Sequence, residues 1–209
     1  MALTSTLELA DHGPVIPVIV LERLAEAVPL ARALVAGGVR VLEVTLRTPV
    51  ALACIEAIAR EVPEVLVGAG TLRSADDVRR AKEAGSVFGV SPGYTPAMAS
   101  ACREWMLPLL PGVASASEVM QAAADGFRFL KFFPAAAAGG VAMLKALAGP
   151  FPEIAFCPTG GIAADTAAQY LALPNVKVCG GSWLTPADAV AEGDWARITA
   201  LAQAASRLR

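Results

Sequence analysis

Histidine is nearly absent from this sequence of 209 residues, which contains one, His12. Because zinc and related metals commonly bind imidazole nitrogens, a histidine-based metal site is excluded, and we expect His12 to lie at the surface. The four cysteines show no CxxC spacing, and the sequence shows no export signal. We therefore predict a protein without a metal, whose cysteines are buried free thiols in a reducing compartment.

Charged residues are also scarce, at 17% of the chain, and the formal net charge is −2. A chain with this balance has no general attraction to nucleic acid or to an anionic membrane. The longest uncharged run, at 132 to 144, is too short to cross a bilayer and contains proline and glycine. Residues 1 to 13 lack the basic head and apolar stretch of a signal peptide. These absences predict a cytoplasmic protein that binds neither nucleic acid nor membrane.

The sequence does contain a repeat of short runs rich in Val, Ile and Phe, spaced about 23 residues apart. The runs begin at Val15, Val39, Val65, Ser86, Pro108, Phe127, Ile154 and Val176. Alanine-rich stretches of helical composition lie between them. Alternating strands and helices predict one domain, residues 1 to 209, folded as a (β/α)₈ TIM barrel. Residues 1 to 13 are expected to form a leading helix that could close the barrel bottom. A doubly wound open sheet is the alternative.

Polar residues recur on one face of the second predicted strand. Glu43, Thr45 and Arg47 alternate with apolar residues that suit packing against helices. By elimination, the polar set enters the barrel interior near its C-terminal mouth, where barrel active sites lie. A structural ion pair between Glu43 and Arg47 is the alternative interpretation.

The sixth run, "FRFLKFFP", places Lys131 among aromatic residues. Phe127, Phe129 and Phe133 share its face of the strand, and Lys131 lies near the strand's end. An apolar wall, together with the nearby Arg47, favours the neutral amine, which is the nucleophilic form. Lys131 is therefore predicted to form a Schiff base. The alternative is a lysine that reaches bulk water past the rim.

The seventh and eighth runs both end in glycine pairs, in "PTGG" at 158 to 161 and "GGSW" at 180 to 183. Glycine allows close approach of the backbone to an anion, and N–H groups at the start of the next helix can bind it. Barrels commonly bind phosphate in the loops after these two strands. The two pairs therefore predict a phosphate site.

The motifs "GGVRVLEVTLRTP", "VGAGT", "SPG", "PLLPGV", "KFFPA", "FCPTGGI" and "GGSWL" follow one another between residues 37 and 184. The whole chain resembles the bacterial 2-keto-3-deoxy-6-phosphogluconate (KDPG) aldolase family, class I aldolases that often also cleave 4-hydroxy-2-oxoglutarate (KHG). The resemblance implies a homotrimer that splits the phosphorylated keto-acid substrate into pyruvate and glyceraldehyde 3-phosphate. It implies no cofactor, since the electron sink is the covalent imine with Lys131.

The resemblance also assigns residues. It implies that Lys131 is the Schiff-base lysine and Glu43 the general acid and base. The other matched positions are Arg47 and Thr71 at the pyruvyl carboxylate, Pro92 and Phe133 as apolar walls, Thr159 beside the substrate, and Gly160, Gly161 and Ser182 at the phosphate. The chain departs from the family after "KFFPA", where Ala136 to Ala138 replace a usual Glu or other polar residue. This departure affects contacts near the substrate's tail or the stability of the rim.

Two other functions are compatible with the same residues. A phosphate-binding barrel isomerase or decarboxylase would use Lys131 as an electrostatic group alone. A non-catalytic barrel that binds a phosphosugar would need no reactive amine. Imine formation with pyruvate distinguishes both from an aldolase.

Overall fold

The structure is a computed structural model and describes residues 3 to 208. Residues 1 and 2 of the predicted leading helix, and residue 209 of the predicted domain, lie outside the described residues. Within the leading segment, Thr6–His12 forms a 3₁₀ helix. Ser5 caps this helix by accepting a hydrogen bond from the Leu7 N–H at 3.2 Å. His12 ends the helix and is partly exposed to solvent.

Over residues 3 to 208 the chain forms nine short strands, which run parallel wherever they pair. They are β1 (Val15–Ile19), β2 (Val41–Thr45), β3 (Leu66–Gly70), β4 (Phe88–Val90), β5 (Leu109–Leu110), β6 (Gly112–Val113), β7 (Phe129–Phe132), β8 (Ala155–Pro158) and β9 (Cys179–Gly181). The run predicted as one strand from Pro108 is interrupted at Pro111. Proline has no N–H to donate, so the ladder breaks there.

Six of these strands form a curled parallel sheet in the order β5-β4-β3-β2-β1-β9. The other three form a second sheet in the order β6-β7-β8. Two isolated parallel bridges, Phe156 to Val176 and Thr159 to Gly180, link β8 to the segment that contains β9. Pro111 joins the sheets on the other side, and its carbonyl accepts a hydrogen bond from the Lys131 N–H at 2.8 Å.

Helices follow the strands and cover one side of them. They are α1 (Ala27–Ala36), α2 (Ala51–Glu61), α3 (Ala75–Glu83), α4 (Pro96–Glu104), α5 (Ala116–Ala124), α6 (Gly140–Ala148), α7 (Ala167–Leu171), α8 (Ala187–Glu192) and α9 (Trp195–Ser206), with a 3₁₀ turn at Leu24–Glu26. Side-chain caps explain several of the start points. Ser74 accepts from the Asp77 N–H at 3.1 Å, and Thr95 accepts from the Met98 N–H at 3.2 Å. Between residues 3 and 208, no helix combines the length and the apolar character needed to cross a membrane.

Side chains alternate between two apolar layers. Leu42 and Val44 of β2 pack with the helices, whereas Val41 belongs to a separate cluster with Phe88 and Phe129. We call the strand face that carries Val41, Phe88 and Phe129 the inner face. Leu9 of the 3₁₀ helix is fully buried in this inner cluster. By the two-residue period of a strand, Glu43 and Lys131 lie on the inner face as well.

The cysteines are buried and free, as the sequence predicted. Burial raises the pKa of the Cys54 thiol to about 11 and that of Cys102 to about 12. Both thiols therefore stay protonated at neutral pH and act as small apolar groups in the core.

Candidate active site

Glu43 and Lys131 meet in the interior of the protein. Lys131 Nζ lies 3.2 Å from Glu43 Oε1, and the two residues are 5% and 3% exposed. Glu43 belongs to β2 and Lys131 to β7, strands that are not paired with each other, so the contact crosses the space between inner faces. A buried ion pair costs much of its Coulombic gain in desolvation, which makes it weak evidence for a purely stabilising role.

The contact decides between the interpretations that the sequence left open. Lys131 does not reach bulk water, so the hypothesis of a lysine at the rim is wrong. Glu43 pairs with Lys131 within the described part of the chain, and Arg47 instead donates from Nε to Thr71 Oγ1 at 3.3 Å. The hypothesis of a Glu43–Arg47 pair is therefore wrong as well.

Glu43, Thr45 and Arg47, which were predicted to enter the interior together, have different surroundings in the structure. Glu43 reaches Lys131, but the Thr45 hydroxyl donates to the Ile19 carbonyl of β1 at 2.9 Å. Arg47 lies two residues past the end of β2 and is exposed. Strand alternation placed these residues on one face, but the end of the strand and a neighbouring carbonyl redirect two of them.

Two other neighbours of Lys131 are neutral. The Phe133 ring centroid lies 5.3 Å from Nζ, and Cys157 is the direct partner of Lys131 on β8. Burial raises the pKa of the Cys157 thiol to about 12, so this neighbour is uncharged at neutral pH. The Thr159 hydroxyl lies 3.9 Å from Cys157 Sγ. Glu43 is thus the charged group that the structure places against the amine.

Thr71 stands immediately after β3 with φ of 63°. This is the left-handed region, which a β-branched residue adopts at an energetic cost. The flanking backbone holds the conformation, because Leu46 N–H donates to the Gly70 carbonyl at 2.9 Å and Leu72 N–H donates to the Val90 carbonyl at 3.0 Å. Strain of this kind persists where the surrounding structure fixes it, and it concentrates at functional sites.

The two glycine-pair loops leave from adjacent strand ends. Gly160 and Gly161 have φ of 98° and 73°, values that favour glycine, and Thr159 bridges Gly180. Ser182 follows β9 and is exposed. The predicted phosphate residues are therefore brought to one edge of the molecule.

Pro92 and Phe133 approach the same region from two sides. Phe133 is half-buried beside Lys131, and Pro92 is an exposed residue of the loop after β4. The carbonyl group of Pro92 occupies the space that a Cβ on Gly112 would fill. Gly112 is the strand partner of Lys131, so this loop lies close to the strand pair that carries the amine.

The structure adds residues that the sequence analysis missed. A Cβ on Gly70 would overlap Glu43, and one on Gly180 would lie 2.9 Å from Thr159 Cγ2. Cys157, predicted as a buried thiol alone, is the strand neighbour of Lys131. The available signal was glycine inside a predicted strand, which often marks a close approach of another group.

A parallel α/β fold with a buried lysine–glutamate pair on the inner faces of its strands is the arrangement expected of an enzyme that works through a lysine amine. Comparison with known proteins identifies the family of enzymes. The model of the family "KDPG and KHG aldolase" matches residues 7–201. The chain belongs to this family.

Individual relatives extend over nearly the whole chain. The 2-dehydro-3-deoxy-phosphogluconate aldolase of Pseudoalteromonas atlantica is 52% identical over 201 residues, which is 96% of this chain and 94% of that protein. The KHG/KDPG aldolase of Escherichia coli is 52% identical over 202 residues, or 97% of this chain and 95% of that protein.

Solved structures agree with these relatives. The KDPG aldolase of Legionella pneumophila, with pyruvate captured as a covalent carbinolamine intermediate, superimposes with a TM-score of 0.93 at 48% identity and covers 95% of this chain and 96% of its own. The Zymomonas mobilis enzyme with 3-phosphoglycerate gives a TM-score of 0.91 at 47% identity, covering 97% and 95%.

Replacing Thr71 by glycine should stabilise the protein. The left-handed conformation costs an L-residue about 1–2 kcal/mol, and glycine loses about 0.5–1 kcal/mol in backbone entropy on folding, so the free energy of unfolding should rise by up to ~1.5 kcal/mol. Urea unfolding monitored by circular dichroism measures the change. Thr185→Gly is the control. Thr185 is half-buried but has no positive φ, so the same replacement there should destabilise the protein. Equal destabilisation of both variants would show that Thr71 carries no backbone strain.

Proposed function

We propose that the protein is a class I aldolase that cleaves 2-keto-3-deoxy-6-phosphogluconate to pyruvate and glyceraldehyde 3-phosphate. The same chemistry would convert 4-hydroxy-2-oxoglutarate to pyruvate and glyoxylate. The observation that carries the proposal is the buried contact of 3.2 Å between Lys131 Nζ and Glu43 Oε1. The family and the names of its relatives support the choice of substrates.

In the first step the Lys131 ammonium passes a proton to the Glu43 carboxylate, and the neutral amine then attacks the C2 carbonyl carbon of the keto acid. The carbonyl oxygen takes a proton from the attacking nitrogen and becomes the hydroxyl of a carbinolamine. Glu43, within hydrogen-bond reach of the amine, gives a proton to that hydroxyl, which leaves as water. The product is an iminium ion between C2 and Lys131.

In the second step Glu43, now a carboxylate, takes the proton of the C4 hydroxyl. The C3–C4 bond breaks as the C4 oxygen forms a carbonyl, and the electron pair of the broken bond moves to C3 and neutralises the iminium as an enamine. The aldehyde leaves. Glu43 returns its proton to C3, and water hydrolyses the imine to release pyruvate and free Lys131. The iminium accepts the electrons, so the proposal includes no external cofactor and no metal.

The remaining site residues would hold the substrate in register with these two groups. Arg47, with its Nε bonded to Thr71, has two further nitrogens suited to a bidentate contact with the pyruvyl carboxylate. The proposed apolar walls are Phe133 and Pro92, Thr159 would lie beside the substrate, and Gly160, Gly161 and Ser182 would bind the phosphate. Positive φ at both glycines supports the last assignment, because their backbone can approach an anion closely.

We also propose that the two sheets belong to one closed (β/α)₈ barrel in a single domain, residues 1 to 209. Two features support closure: a single residue, Pro111, separates β5 from β6, and isolated bridges link β8 to the β9 segment. Strand order follows chain order from β1 to β5, without the reversal of a doubly wound sheet. Burial of Leu9 in the inner cluster supports a bottom-closing role for the 3₁₀ helix. A homotrimer in the cytoplasm stays a prediction from the resemblance and the composition.

Borohydride reduction in the presence of pyruvate should attach one stable adduct per chain, at Lys131. The reason is that a lysine buried against a carboxylate and an aromatic ring is the amine placed to form an imine. Peptide mass spectrometry locates the adduct, and Lys131→Met is the control that should abolish it. An adduct at Lys82, Lys145 or Lys177, or none at all, would contradict the mechanism and favour an isomerase, a decarboxylase or a non-catalytic barrel.

Glu43→Gln should lower kcat about 10²–10⁴-fold, the usual contribution of general acid–base catalysis, because an amide cannot take and return a proton. Exchange of pyruvate methyl protons with solvent should slow in parallel, since that reaction needs the imine and a base but no bond cleavage. NMR measures the exchange.

Glu26→Gln is the matched control for Glu43→Gln. Glu26 is also buried and ion-paired, to Arg23 at 2.7 Å, but it is no part of the proposed site. This variant should lose stability and keep kcat. Wild-type exchange and turnover in folded Glu43→Gln would remove Glu43 from the mechanism.

Ser182→Ala should raise KM for the phosphorylated substrate roughly 10- to 150-fold, the equivalent of about 1.5–3 kcal/mol for a hydrogen bond to a charged group. KM for 4-hydroxy-2-oxoglutarate should change less, because this substrate has no phosphate and its tail carboxylate is bonded directly to C4. Steady-state kinetics with both substrates provides the internal control. Equal changes in the two KM values would place the phosphate elsewhere.

A further inference from the structure

Gly70, the last residue of β3, has no room for a side chain. An ideal Cβ built on Gly70 would overlap Glu43 Oε1 and lie 2.7 Å from Cγ and 2.8 Å from Cδ of the same side chain. In protein structures a Cβ atom essentially never lies within 3.0 Å of a heavy atom of a residue that is not its chain neighbour. Gly70 is not at positive φ, so its backbone conformation is one that any residue can adopt. The constraint at Gly70 is therefore the space that Glu43 occupies.

The strand register explains how the two residues come together. On the paired strands β2 and β3, Glu43 is directly opposite Gly68, and Gly70 is opposite Thr45. Gly70 is thus the diagonal neighbour of Glu43 toward the carboxyl end of the strand pair, on the same face. The Glu43 side chain leans along the strand into the position that a Gly70 side chain would take, and from there its Oε1 contacts Lys131.

We propose that Gly70 is a positioning residue, which keeps open the space through which the Glu43 carboxylate reaches Lys131. This inference rests on the proposed function, because it assumes that Glu43 transfers protons. A methyl group at position 70 would force the glutamate into another rotamer and move Oε1 away from Nζ. The present separation of 3.2 Å is already at the long end of the hydrogen-bond range, so a shift of about 1 Å breaks the contact.

Gly68 provides a matched comparison on the same strand and face. A Cβ on Gly68 would overlap the ring of Phe88, which belongs to the apolar inner cluster and is not one of the proposed site residues. Gly68→Ala and Gly70→Ala therefore add the same methyl group, two residues apart, against a core side chain in one case and against Glu43 in the other.

A double-mutant cycle with Glu43→Ala tests the inference, because alanine lacks the Cγ, Cδ and Oε1 atoms that a Cβ at position 70 would overlap. A misplacement of about 1 Å can cost on the order of 10²-fold in rate, so Gly70→Ala should lower kcat about 10- to 100-fold in the wild-type background. The same substitution should lower the residual kcat less than about threefold in the Glu43→Ala background, since the side-chain atoms that a Cβ at position 70 would overlap are gone. Gly68→Ala should reduce the melting temperature yet change kcat less than about threefold.

Two further measurements separate positioning from loss of structure. Gly70→Ala should still form the borohydride adduct at Lys131, because the amine is untouched, while exchange of pyruvate methyl protons slows as in Glu43→Gln. Equal effects of Gly70→Ala in both backgrounds, or unchanged kcat in Gly70→Ala, would overturn the inference.

The proposed function can fail separately. If Glu43→Gln keeps its turnover, the proposed role of Glu43 in proton transfer is wrong, and so is the inference about Gly70. If Glu43→Gln is inactive but the cycle is additive, the inference about Gly70 alone is wrong. Should Gly70→Ala not fold, folding of the Gly70→Ala, Glu43→Ala double variant would support competition for space, and failure of both to fold would overturn the inference.

Discussion

The contact between Lys131 and Glu43 is the interaction on which the rest of the site depends. Removing each charge from water costs on the order of several kcal/mol, and mutual attraction at 3.2 Å returns this only when the geometry is held closely. Neither side chain can supply that geometry alone, since both are long and flexible. It comes from strand backbones, because β2 and β7 fix the two Cα positions, and from neighbours such as Phe133 and Cys157, which exclude water without adding charge.

Glycines inside the strands make this crowded interior possible. Gly70 leaves room for the carboxylate, Gly112 for the loop at Pro92, and Gly180 for Thr159. Glycine weakens a strand because it has no side chain to pack and loses more conformational entropy on folding than other residues. The apolar layer between strands and helices compensates, with residues such as Leu42 fully buried there. The inner face can therefore be shaped for chemistry while the outer face of the same strands holds the fold.

The sequence predicted parts of this arrangement that have a local cause. Strand alternation placed Glu43 and Lys131 on inner faces, and the motif order identified the family that the comparisons later established. The sequence could not predict contacts between residues that are far apart in the chain and meet only in the folded protein. The meeting of Glu43 with Lys131 rather than Arg47 is decided by which strands face each other, and the bond of Thr45 to Ile19 by strand register. The break at Pro111, by contrast, has a local cause in the sequence, because proline has no N–H to donate.

The alanines after "KFFPA" show how a departure from the family pattern can leave the framework of a site intact. The Ala136 N–H donates to the Gly160 carbonyl at 3.0 Å, and the Ala135 N–H donates to the Thr159 carbonyl at 2.8 Å. These are backbone bonds, so they do not depend on which side chain follows Ala135. A Cβ on Gly161 would lie 2.6 Å from Ala136 Cβ, so the loop after Lys131 packs directly against the proposed phosphate loop. Because the two loops are joined by backbone hydrogen bonds, the separation between the Lys131 strand and the proposed phosphate loop is set by the main chain. An alanine at position 136 is therefore compatible with that separation.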